Sequence, residues 1–105
     1  MRESIIMFNG RRYPVLVTES VEENMKGMSI FTPQFLRTGR VPNRMMLFEF
    51  QGLYRRFTME GVSFPLRVYM LDKNMRVIDH FIAYPNMNDR PISPNTWWML
   101  EISSQ

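Results

Sequence analysis

The chain contains no cysteine and a single histidine among its 105 residues. The first absence excludes disulfides and thiolate metal sites, and it fits a reducing compartment. No basic leader followed by an apolar run is present, and nothing approaches the roughly 20 consecutive apolar residues that span a bilayer. A soluble, unexported protein is therefore expected, cytoplasmic or otherwise intracellular and without membrane contact. The catalytic vocabulary is equally thin. His80 adjoins Asp79 in a predicted strand, where neighbouring side chains point apart, so the two do not form a relay. No Gly-x-Ser-x-Gly turn announces a nucleophile for a triad with Ser63, Ser93 or Ser103. No metal-ligand spacing or phosphate-cradling glycine loop occurs. Glu49, Glu60 and Asp79 make acid/base pairs only if the fold brings them together. A non-enzyme is the expectation, with no catalytic residue, metal site or cofactor assigned.

What is present suits one domain covering residues 1–105. This is a common single-domain length, and 45% hydrophobic residues can supply a core. So short a chain leaves little interior for a deep cleft, which favours shallow or surface sites. The formal charge is +3, and eleven of the thirteen basic residues are arginine. Arginine's planar fork suits carboxylate, phosphate and aromatic partners better than lysine does. The simpler reading of the pairs Arg11-Arg12 and Arg55-Arg56 is solvated strand or turn residues. Eleven methionines is a large number for this length. Met28, Met46 and Met59 read as core by the family resemblance drawn below, which puts them on apolar positions. Met7, Met25, Met75 and Met87 are left as candidate surface contacts.

Periodicity and turn signals predict a mostly β chain. Ile5 to Phe8 and Tyr13 to Val17 form a hairpin around Asn9-Gly10, which tolerates positive φ. Ser20-Val21-Glu22-Glu23 fits a capping box, although the register of the family resemblance drawn below implies Thr18 as the cap; either way a helix of about two turns follows and Gly27 can end it. Residues 33–36 suggest another helical turn, and 38–43 an irregular loop. Strands are predicted over 45–50, 55–59, 66–71, 75–82 and 97–102, with a turn at Asp72-Lys73-Asn74 and a Pro/Asn loop over 84–96.

Met45-Met46-Leu47-Phe48-Glu49-Phe50, Phe57-Thr58-Met59, Phe64-Pro65-Leu66-Arg67-Val68 and the closing Trp98-Met99-Leu100-Glu101 together resemble the signature of the DUF192 (UPF0127) family. The likeness runs from about Tyr13 to Ile102 and includes Thr18-Glu19-Ser20 leading to Gly27-Met28-Ser29. It implies an α+β, mostly β fold, a small and partly open β-barrel with an N-terminal hairpin and one or two short helices. It implies no settled activity. Apolar positions of the family pattern are kept. Its polar Trp, Lys, Asn and Asp are Thr58, Glu60, Gly61 and Arg67 in this chain.

Strand alternation places Leu66, Val68 and Met70 on one face and Arg67, Tyr69 and Leu71 on the other. A buried Arg67 needs a carboxylate, with Glu60 or Asp79 as internal candidates and a partner's anion as the alternative. Trp97 and Trp98 point opposite ways. By the family register Trp98, Leu100 and Ile102 belong to the core, leaving Trp97 as an exposed anchor.

Three functional readings follow. The first is a non-catalytic interaction or assembly module that docks on a larger protein complex or self-associates, with Arg55, Arg56, Tyr69 and Trp97 as candidate interface. The second is a nucleic-acid-binding small barrel, in which arginine pairs meet phosphate and Tyr54, Tyr69 or Trp97 stack on bases. The third is a ligand pocket, or an enzyme site, at the barrel mouth near Met59, Glu60 and Arg67.

Overall fold

The computed structural model describes residues 1–26, 45–53 and 56–103. In chain order the elements are β1 (Arg2–Phe8), β2 (Arg11–Val17), α1 (Val21–Lys26), β3 (Met45–Glu49), β4 (Arg56–Phe57), β5 (Leu66–Leu71), β6 (Val77–Ala83), β7 (Arg90–Pro91) and β8 (Trp98–Ser103). The predicted helix over 33–36, the loop over 38–43, and Met28, Tyr54 and Arg55 lie outside the described residues. No helix among the described residues is long and apolar enough to cross a membrane.

Six strands form one sheet in the order β1-β2-β3-β8-β5-β6, and β4 pairs with β7 as a separate two-stranded ribbon. The mostly β fold with a hairpin and a short helix is as expected, and the sheet is not closed. β2 and β3 run parallel, joined through a crossover that contains α1. The other neighbours in the sheet are antiparallel.

Local chemistry explains the elements. Asn9 and Gly10 adopt φ of 51° and 76°, both left-handed, as the tight turn between β1 and β2 requires. The helix is capped at Ser20: its Oγ accepts from the Glu23 amide at 3.1 Å. Glu23 reaches back to accept from the Glu19 amide at 2.7 Å. The Asp72 turn is closed by the Met75 amide donating to the Asp72 carbonyl at 3.0 Å, with Met75 itself left-handed at φ 63°. Two strand predictions change. The strand foreseen over 55–59 shrinks to Arg56–Phe57, and the foreseen 84–96 loop contains its partner, Arg90–Pro91.

The central strands β2, β3, β5 and β8 feed two apolar clusters through their alternate residues. The first contains Leu16, Met46, Phe48, Leu66, Val68, Met70 and Met99, joined by Phe57 from the ribbon and by Met59, Val62 and Phe64. The second contains Val15, Val17, Met45, Leu47 and Leu100, with half-buried Ile6, Phe8, Tyr13, Tyr69, Trp98 and Ile102 packed on it. The sheet curls toward this second cluster, because Phe8 of β1 touches Tyr69 of β5 across it. The result is a trough whose edge strands β1 and β6 have no strand on their outer sides among the described residues.

Candidate functional site

The trough face of β5 and β6 brings aromatic and basic side chains together. Tyr69 and His80 are cross-strand partners, and their rings stack nearly parallel with centroids 4.6 Å apart. The edge of the Phe8–Tyr69 contact closes the other side of this group. Arg67, two residues before Tyr69 on the same face, lies between Ile82 of β6 and Ile102 of β8. Arg11 is opposite Phe8 in the first hairpin and shares the face of Tyr13 and Val15. Arg11, Arg67 and His80 are exposed. Their side chains make no ion pair or hydrogen bond among the described residues.

The reverse face of β6 is organised differently. Asp79 accepts from Arg90 Nη2 at 3.1 Å through Oδ2. The Arg90 guanidinium lies 4.0 Å from the centre of the Phe81 ring, which in turn meets Phe57 edge to face at 5.4 Å. This cluster clamps the β4–β7 ribbon over the first core. It takes Asp79 away from Arg67, for which it was an internal candidate: its ion-pair partner is Arg90. His80 turns to the other face, as alternation required.

A second concavity, about 480 Å³, opens beside α1 and the end of β3, lined among others by Arg2, Glu19, Val21, Glu49, Gln51 and Leu53. Its wall is tied by the Thr18 hydroxyl donating to Asn24 Oδ1, and by the Thr18 amide donating to the Leu47 carbonyl at 3.0 Å. Gln51 donates to Glu49 Oε1 at 2.9 Å. Among the described residues its lining contains no histidine.

The foreseen pocket residues do not converge. Met59 is buried in the first cluster, Glu60 is exposed on a turn, and Arg67 projects from the opposite face of β5. The reason is alternation: Leu66 and Val68 carry the first cluster, so Arg67 between them must face away. The foreseen interface is also divided. Arg56 is on the ribbon, 68% exposed and 3.9 Å from Asp89, whereas Tyr69 belongs to the trough. Trp97 is half-buried rather than an exposed anchor. Its carbonyl accepts from the Phe50 and Gln51 amides at 2.7 and 3.1 Å, and its amide donates to Leu71 at 2.8 Å. Trp98 and Ile102 are half-buried on the second cluster and Leu100 is fully buried there, as the register implied. Met46 and Met59 are core, and Met7, Met25 and Met75 are exposed. Met87 differs, packing partly buried against the first cluster.

Sequence reasoning passed over Glu101. It lies in central β8 between Met46 and Val68, is 5% exposed, and burial pushes its carboxyl from 4.5 up to about 8. The signal was an acid inside Trp98-Met99-Leu100-Glu101-Ile102, an otherwise apolar run. Among the described residues no cluster of three or more acidic or imidazole side chains could hold a metal.

No family model matches the chain, and no curated protein matches it. The fold is similar to a crystal structure of a protein of unknown function from Novosphingobium aromaticivorans DSM 12444, with a TM-score of 0.69 over 96% of this chain and 71% of that one. The two are 17% identical, so the likeness concerns the fold alone.

Proposed function

We propose that this chain is a DUF192-type domain working as a non-catalytic protein-binding module, and that its binding element is the free edge of β6. The observation that carries the reading is the composition of that edge. Val77, Ile78 and Ile82, with Tyr84 just beyond, are 41–59% exposed on a strand that, among the described residues, is paired on one side only. Unpaired backbone groups beside exposed β-branched residues are a template for an added strand. The family assignment is supported by burial of the motif: Met46, Leu47, Phe48, Phe57, Met59, Phe64, Leu66 and Leu100 are all core. The non-catalytic part is supported by the engagement of His80 with Tyr69 and of Asp79 with Arg90.

The test is affinity capture from the native source at low and moderate salt, run beside the double variant Ile78→Lys/Ile82→Lys. Edge lysines resist strand addition while leaving the paired side of β6 intact. A stoichiometric partner, identified and shown to bind as purified protein, should be held by the parent and lost by the variant. Equal retention by both proteins would remove β6 from the function.

A further inference from the structure

We infer that the strand received by β6 is acidic: an extended protein segment with carboxylates at alternate positions, directed into the trough. This rests on the edge-binding reading and adds the chemistry of its occupant. Alternate residues of an added strand stand in line with His80 and Ile82, on the face where Arg67 and Tyr69 follow one strand further in. Arg67 is then about 10 Å, two strand spacings, from the added backbone, a gap that extended arginine and glutamate side chains span. Arg11 stands across the trough beside Phe8.

The exposed cations on this face include Arg11 and Arg67, and the one carboxylate that shares it among the described strands, Glu49, stands opposite Trp98 at the other end. Arg11, Arg67 and His80 have no acidic partner among the described residues. Carboxylates on the neighbouring strands are committed elsewhere. Asp79 is bonded to Arg90 on the reverse face, Glu101 is buried on that face, and Glu49 is at the far end of β3, bonded to Gln51. A partner that supplies carboxylates therefore completes charge-assisted hydrogen bonds the domain leaves unmade. Nucleic acid fits less well. Its bases need an open aromatic face, and Tyr69 has one face covered by His80 and meets Phe8 edge to face.

The experiment titrates the full chain with capped peptides matched to the length of β6: alternating Glu/Val, its isostere Gln/Val, and Lys/Val. A thymidine oligonucleotide runs in parallel, all followed by fluorescence anisotropy at two salt concentrations. The Glu/Val peptide should bind at least about tenfold more tightly than Gln/Val, and more weakly as salt rises. Arg67→Gln should lower its affinity roughly fivefold without changing the melting temperature, since Arg67 is exposed and unpaired. Ile78→Glu/Ile82→Glu, which puts like charge against the carboxylates and charged side chains on the edge, should abolish binding of the Glu peptide and weaken that of the Gln peptide. Equal binding of Glu/Val and Gln/Val overturns the acidic partner and leaves edge binding standing. Failure of both peptides to bind also overturns it, and the capture experiment then judges the edge by itself. Oligonucleotide binding tighter than Glu/Val and weakened by Arg67→Gln overturns it in favour of a nucleic-acid face.

Discussion

The rings of Phe8 and Tyr69 meet edge to face with centroids 4.8 Å apart, although three strands separate β1 from β5 in the sheet. In a flat sheet the two strands would stand about 19 Å apart, beyond the reach of two side chains standing perpendicular to it. The contact therefore reports the curl, and it holds the hairpin over the second cluster. Aromatic pairs of this geometry couple by about 0.5–1.5 kcal/mol beyond the area they bury. A double-mutant cycle of Phe8→Ala and Tyr69→Ala, followed by urea unfolding, should give a coupling in that range. A coupling near zero would mean that the curl is maintained without this contact.

Glu101 makes stability depend on pH in the direction opposite to an ordinary salt-bridged acid. Its carboxyl titrates near 8 in the folded chain instead of 4.5, because it is buried. The residues facing it across the ladders are Met46 and Val68. On the same face stand Phe48, Leu66 and Met70, none of which titrates. Between those two values the folded chain keeps a proton that the unfolded chain has lost. Stability is therefore full below about pH 4.5 as far as this group is concerned, and falls as pH rises to about 8, at up to about 1.4 kcal/mol per unit. Glu101→Gln should flatten that decline and raise the melting temperature above pH 8. A parent and variant with parallel pH profiles would refute the shift.

The sequence made legible whatever depends on neighbours in the chain. Asn9-Gly10 announced its turn, and the alternation of Leu66, Val68 and Met70 against Arg67, Tyr69 and Leu71 separated the two faces of β5 correctly. The divergence of Asp79 and His80 followed from the same rule. What could not be read was set by contacts distant in sequence. Phe57 pairs with Arg90, and a two-residue strand carries no period to recognise. The curl depends on Phe8 reaching Tyr69. The proposed pocket placed Met59, Glu60 and Arg67 together at a barrel mouth, whereas the loop after Phe57 drives Met59 into one cluster while β5 turns Arg67 toward the other.

Gly52 should be less replaceable than Gly10. Both Gly10 and Gly52 have positive φ, at 76° and 73°. A Cβ at Gly10 meets nothing within 4 Å, so Gly10→Ala should cost only the left-handed backbone, about 1–2 kcal/mol. At Gly52 a Cβ would lie 2.9 Å from the Pro94 carbonyl oxygen, in the turn whose Gly52 amide donates to Thr96 at 2.9 Å. Because backbone must shift there, Gly52→Ala should cost at least about 1 kcal/mol more than Gly10→Ala, a difference readable as denaturant midpoints at constant slope. Equal costs would show that the Pro94 segment yields freely.

Met75 should be improvable. It holds φ at 63°, a left-handed conformation that costs an L-residue with a side chain roughly 1–2 kcal/mol, and its side chain is 40% exposed, so little packing is lost on removal. The turn around it is otherwise well made. Asp72 Oδ1 accepts from the Asn74 and Arg76 amides at 2.8 and 3.0 Å, and the Arg76 bond in particular holds its carboxyl below the usual range. A type I turn followed by a left-handed residue is a standard three-residue hairpin connection, and glycine suits its last position. Glycine also gives the unfolded chain more freedom, which offsets part of the relief. Met75→Gly should therefore stabilise by a net amount of roughly 0.5–1 kcal/mol, seen as a higher unfolding midpoint. Asp72→Ala should destabilise the same hairpin, because both amides lose their acceptor, and its penalty should shrink as pH falls and the parent carboxylate is protonated. If Met75→Gly instead lowers the midpoint, the methionine side chain contributes packing that outweighs its backbone cost.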